Sequence, residues 1–134
     1  MLKQGRFRDD PSFYDEAADF LCVQDPTACL FTVHGVNLAI ILQLAERLKK
    51  LRPTCRIVLG GVAATLQAET IVEKFAAVDA VIKHEGESAL PELLNAVLDE
   101  RDFSKVPGAV YRRENQVVAN PPAPFIAAAD IPAP

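Results

Sequence analysis

The sequence predicts an α/β domain: a parallel sheet with crossover helices, closed off by a C-terminal β-hairpin. Three observations predict it. Short apolar runs at Ala28–Val33, Arg56–Leu59 and Ala80–Lys83 each end in a small polar turn that opens a helical pattern. These runs are rich in Val, Ile and Leu and do not alternate with polar residues, as expected of strands buried on both faces. Three successive strand–helix units joined by right-handed crossovers lay their strands side by side. After Val106 the pattern changes to two strand-like runs separated by two residues, which reads as a hairpin.

Taken in order, residues 1–11 are charged and polar and are expected to be loose. Ser12 is the predicted N-cap of a helix running to about Val23, with Asp15 as a weaker capping-box partner and Phe13, Ala17, Phe20 and Leu21 on one face. Asp25-Pro26 ends it, because the residue before proline is pushed out of the helical region. The Ala28–Val33 strand turns at His34-Gly35. Asn37 then caps a long helix to Leu51, on which Leu38, Ile41, Leu42, Ala45 and Leu48 form an apolar stripe. Gly60-Gly61 closes the second strand, and Thr65 is the predicted cap of a helix carrying Ala68, Ile71, Val72 and Phe75.

The third strand leads into His84-Glu85-Gly86-Glu87. Ser88 is the expected cap of the next helix, with Pro91 in its first turn and Leu90, Leu93, Leu94, Val97 and Leu98 at helical spacing. The hairpin spans Gly108–Arg113 and Gln116–Ala119 across Glu114-Asn115. Five of the ten prolines follow Asn120, which marks 120–134 as an extended linker and leaves 12–119 as the domain.

Composition bounds the function. At 134 residues the chain is one domain by length, and its formal net charge of −4 with scattered basic residues gives no nucleic-acid surface. The one basic cluster, Arg47 to Arg52, reads as cations facing a helix C-terminus. No apolar run suits a signal peptide or a bilayer span, so no membrane role and a cytoplasmic location are expected. Cys22, Cys29 and Cys55 are an odd set without close pairing and are expected to be free thiols.

In an open parallel sheet, ligands bind at the carboxyl ends of the strands, which makes the turns the candidate sites. Gly60-Gly61 allows close backbone approach, and the following helix offers amide donors. The pair is also a common plain turn, and Val62-Ala63-Ala64 excludes a dinucleotide fingerprint. Glu85 and Glu87 flank Gly86 before a helix, where acidic residues favour the helix dipole; that reading outweighs a metal or acid–base role. His34 ends the first strand on the same rim as a hydrogen-bonding residue.

The order and spacing of these runs add specificity. Thr32, P-T-C-R-I-V-L-G-G (53–61), V-D-A-V-I-K-H-E-G-E-S-A-L (78–90), V-P-G-A-V-Y-R (106–112) and the proline-rich end together resemble the cobalamin-binding N-terminal domain of radical S-adenosylmethionine enzymes. The similarity covers roughly Tyr14 to Pro134. It implies a Rossmann-like, flavodoxin-like fold with the nucleotide tail of cobalamin lying beside Thr32, His34, Gly60, Gly61 and Val62. The Glu85-Gly86-Glu87 turn lines the same edge, with His84 where that pattern usually has glycine. It further implies a radical S-adenosylmethionine catalytic domain, of methyltransferase or ring-forming type, after residue 134 or on another chain.

Two departures qualify the implication. D-x-H-x-x-G, which supplies a cobalt-ligating histidine in one class of cobalamin domain, is absent, and no strand precedes Ala28, so the fold is expected to be incomplete and prone to self-association. C-x-x-x-C-x-x-C is absent too, so no iron–sulfur cluster and no catalysis by this chain alone are expected. The competing readings are a non-binding interaction module and, less favoured, a phosphoacceptor receiver. The receiver would need an Asp at the end of the Arg56–Leu59 strand, where glycine stands.

Overall fold

The computed structural model describes residues 10–84, 86–100 and 102–124. Five strands form one sheet in sequence order: β1 (Ala28–Thr32), β2 (Arg56–Gly60), β3 (Ala80–Ile82), β4 (Ala109–Arg113) and β5 (Gln116–Ala119). β1–β2 and β2–β3 are parallel, and β3–β4 and β4–β5 are antiparallel. The parallel α/β sheet with its added hairpin is therefore as the sequence predicts. At the hairpin, Glu114 and Asn115 both adopt positive φ (49° and 64°), the backbone that a two-residue turn of matching twist requires.

Residues that alternate along the strands divide the core in two. Ile57, Leu59, Val81 and Val110 pack under α1 (Pro11–Cys22), α2 (Leu38–Leu51), α3 (Val62–Leu66) and α4 (Ala68–Lys74). Val58, Ala80, Ile82, Ala109 and Tyr111 face the other way, against α5 (Leu90–Asn95) and the turn at Phe103. The stripe read on α2 is the one it buries: Ile41, Leu42, Ala45 and Leu48.

Several local expectations are corrected. α1 begins at Pro11, and Asp10 rather than Ser12 is its cap, accepting from the Ser12 amide and hydroxyl. Proline suits the first turn because its missing N–H has no partner there. α1 buries Tyr14 and Ala18, packs Leu21 of the predicted face against the core and leaves Phe20 exposed, so its inner face is centred on Tyr14 and Ala18 rather than on Phe13 and Ala17. Thr65 and Ser88 are not the caps of these helices: α3 starts directly after Gly61, and a short 3-10 turn, Gly86–Ala89, precedes α5. The second crossover is two short helices, because Gln67 breaks the helical path between α3 and α4. Leu90, Leu94 and Leu98 are exposed, while Leu93 and Val97 are buried.

The amino ends of the parallel strands are tied by charge. The Asp79 carboxylate, 13% exposed, accepts from the Ile57 amide (2.7 Å), Arg56 (3.1 Å) and Lys49 (2.7 Å). Arg112 donates to the Val72, Phe75, Ala76 and Val78 carbonyls, satisfying the otherwise unpaired end of α4. Beyond β5, Asn120 is held by the Phe103 and Val106 carbonyls, and the Gly108 amide donates to Pro121. Of the segment 1–11 expected to be loose, Asp10 and Pro11 open α1 and residues 1–9 lie outside the described residues, as do most of the proline-rich tail and Glu85.

Candidate functional site at the carboxyl ends of the strands

The second face of the sheet is covered over β3, β4 and Val58 of β2, and open over β1 and the carboxyl end of β2. Leu30, in register with Val58, points out of this face and is 50% exposed. A groove of about 490 Å³ results, with Leu30, Val58 and Ile82 as its floor and Leu90 and Leu93 of α5 as a wall. Thr32, Gly60, Gly61, His84, Gly86 and Glu87 line its rim. An apolar floor with a few polar groups at the mouth suits a flat apolar ligand carrying a polar extension.

Glycine at position 60 keeps the groove open. Thr32 and Gly60 are register partners at the strand ends. A Cβ on Gly60 would project with no neighbour nearer than the Ile82 carbonyl oxygen at 4.0 Å, so its place is space a ligand can occupy. Gly61 differs: its φ is 97°, and a Cβ there would lie 2.6 Å from the Val33 carbonyl oxygen. Gly61 is required by the turn itself and Gly60 by what lies above it.

Two side chains that sequence reading assigned as helix caps instead hold the rim. Asn37 accepts from the His34 amide (2.8 Å) and donates to the Thr32 carbonyl (3.3 Å), fixing the loop after β1. Thr65 accepts from the His84 amide (3.1 Å), tying the turn after β3 to α3. His84 itself has φ 64°. Beside it, Lys83 bonds Glu69 at 2.9 Å and holds that carboxyl below the usual range, chiefly through this hydrogen bond.

The structure thus brings together Thr32, Gly60, Gly61, Gly86 and Glu87 of the predicted site residues. His34 and Val62 do not line the groove: His34 is exposed on the loop after β1, its amide donating to Asn37, and Val62, 72% exposed, is the first residue of α3. The apolar lining (Leu30, Val58, Ile82, Leu90 and Leu93) was not anticipated as part of the site. Its signal was present: leucines at 90, 94 and 98 add to Leu93 and Val97 a width of apolar surface that one buried helix face does not need. Among the described residues, no group of three or more His, Cys, Asp or Glu side chains is placed to hold a metal ion. No helix among them is long and apolar enough to cross a membrane.

Comparison with known proteins fits this geometry. The chain is 30% identical over 118 residues to the anaerobic magnesium-protoporphyrin IX monomethyl ester cyclase of a Synechocystis species, an alignment spanning 87% of this chain and 24% of the cyclase. The fold matches that of TsrM from Kitasatospora setae, a radical S-adenosylmethionine methyltransferase solved with cobalamin and an iron–sulfur cluster. The TM-score is 0.68 at 21% identity, over 95% of this chain and 24% of TsrM. It also matches OxsB, a cobalamin-dependent S-adenosylmethionine radical enzyme solved with aqua-cobalamin and S-adenosylmethionine, with a TM-score of 0.71 at 17% identity over 84% of this chain and 16% of OxsB. The chain therefore spans about a quarter or less of the proteins it resembles. The B12 binding domain family matches residues 7–94, which takes in β1, β2, β3 and every residue of the groove. The chain belongs to the B12-binding domain family.

Proposed function

We propose that this chain is a cobalamin-binding module that serves a radical S-adenosylmethionine catalytic domain, located after residue 134 or on another polypeptide. The observation that carries the reading is the groove above Gly60: about 490 Å³, apolar below and polar at the mouth, at the strand ends where α/β sheets receive ligands. Its residues fit the nucleotide tail of cobalamin. Leu30, Val58, Ile82 and Leu93 would take the flat base, Gly60 would allow the backbone to be approached closely, and Thr32 and Glu87 would meet the polar part. The bound cofactor would supply cobalt-centred methyl-transfer or radical-controlling chemistry to the catalytic domain, and this chain's own residues bind and orient it.

Titration of the purified chain with hydroxocobalamin, followed by absorbance, tests the proposal. Saturable one-to-one binding is expected. Gly60→Val, which places a branched side chain in the open space above the strand end, should weaken it at least about tenfold without unfolding the chain. A folded chain that binds no cobalamin overturns the reading.

One observation favours a second reading as an interaction module. Among the described residues β1 is paired on one side only, and its five residues carry no charge. An unblunted edge of this kind promotes strand pairing with another chain. Sedimentation equilibrium showing a dimer, together with absence of cobalamin binding, would support it.

A further inference from the structure

Among the described residues, His84 is the one non-glycine residue on the groove rim with a positive φ (64°). An L-residue with a Cβ is strained in that region, and such strain persists where surrounding structure holds it and concentrates at ligand-binding positions. The surrounding structure here is identifiable. The His84 amide is anchored on the Thr65 hydroxyl at 3.1 Å, and α3, which carries Thr65, starts directly after Gly61. The turn after β3 is thereby locked to α3, the helix that follows the turn after β2. His84 lines both the groove and a small adjoining cleft bordered by Ser88, Pro122 and Pro124. Glycine would satisfy this backbone without strain, so the side chain is what the position gains.

We infer that His84 is a ligand-contacting residue, hydrogen-bonding the phosphodiester of the nucleotide tail at the mouth of the groove rather than binding cobalt. The inference rests on the cobalamin reading above. The groove itself argues for this part of the ligand. Its floor is apolar and suits the base, whereas His84 stands with Thr32 on the polar rim, where the sugar–phosphate of a tail leaving the groove would pass. A ring N–H donates to a phosphate oxygen, and such charge-assisted bonds are the stronger kind.

The test compares hydroxocobalamin with cobinamide, which has the corrin but lacks the base, ribose and phosphate. His84→Gly should bind hydroxocobalamin roughly tenfold more weakly than the parent chain, with cobinamide affinity unchanged. Its melting temperature should hold or rise, because glycine suits the backbone. His84→Asn, which also tolerates positive φ, serves where the glycine variant folds poorly. Opposite signs for stability and affinity are what a merely structural histidine would not give. Parent and variants binding hydroxocobalamin equally would overturn the inference and leave the function standing. Equal losses for both corrinoids would overturn the assignment to the tail. A parent chain that binds neither would remove the reading on which the inference rests.

Discussion

The two ends of the parallel sheet are built by different chemistry. At the amino end, Asp79 gathers the Ile57 amide, Arg56 and Lys49, and Arg112 gathers four carbonyls. At the carboxyl end the rim is made of glycines, residues of positive φ and two side chains, Asn37 and Thr65, each bonded to backbone. One end uses its charges up internally. The other fixes its turns with two short side chains and leaves space between them. The contrast explains why charge at one end marks structure, and why sparse small residues at the other mark a site.

The largest effect expected from breaking the contrast is at Asp79. Asp79→Ala would leave Lys49, Arg56 and the Ile57 amide without their shared acceptor in a mostly buried setting. The chain should lose about 3 kcal/mol of stability in urea unfolding. Cobalamin binding by the remaining folded protein should be unchanged, because the network is at the far end of the strands.

The adjacent glycines sharpen the contrast within the site. Gly61→Ala forces a Cβ against the Val33 carbonyl at an unfavourable φ, and should cost about 2 kcal/mol of stability. Gly60→Ala meets only open space and should leave stability within about 0.5 kcal/mol of the parent. Equal unfolding midpoints for the two variants would contradict the distinction drawn between a glycine for the turn and a glycine for the ligand.

A smaller effect is expected at the cysteines near the amino end. Burial, then the neighbouring Cys55 at 3.8 Å, pushes the Cys29 thiol up to about 12, and all three cysteines are free. Cys29 should therefore alkylate far more slowly at neutral pH than a free cysteine, with mass spectrometry reading the modified site. For a thiol raised in this way the stabilising contribution is complete below its ordinary value of 9.0 and is lost as pH climbs toward about 12. Alkylation of Cys29 at the rate of free cysteine would contradict its burial.

How much was legible in the sequence follows from the range of the interactions. The strands, the α2 stripe and the Gly60-Gly61 turn depend on residues within a few positions of each other, and periodicity reveals them. Asp79 bonding Ile57 and Thr65 bonding His84 join residues 22 and 19 apart, and nothing local announces such pairs. Thr65 and Ser88 look like caps because hydroxyls before a helix usually cap it; the helices start elsewhere, and Thr65 is used on the opposite turn. The groove is an uncovered part of a sheet face, and a missing layer leaves no motif. Only the surplus of leucines along α5 hinted at it. The cofactor assignment came from the order of several modest runs, and the family match on residues 7–94 now supports it.

The central claim is that the groove above Gly60 takes the nucleotide tail and that no protein histidine binds the cobalt. The most direct test is the paramagnetic resonance spectrum of cob(II)alamin bound to the chain. A tail drawn into the groove takes its base off the metal, so the account predicts loss of the nitrogen splitting seen for the free cofactor, with no new nitrogen coupling in its place. Retention of the base's splitting would show that the groove is empty. A nitrogen coupling that disappears in His34→Ala or His84→Gly would show a histidine on cobalt and contradict the claim.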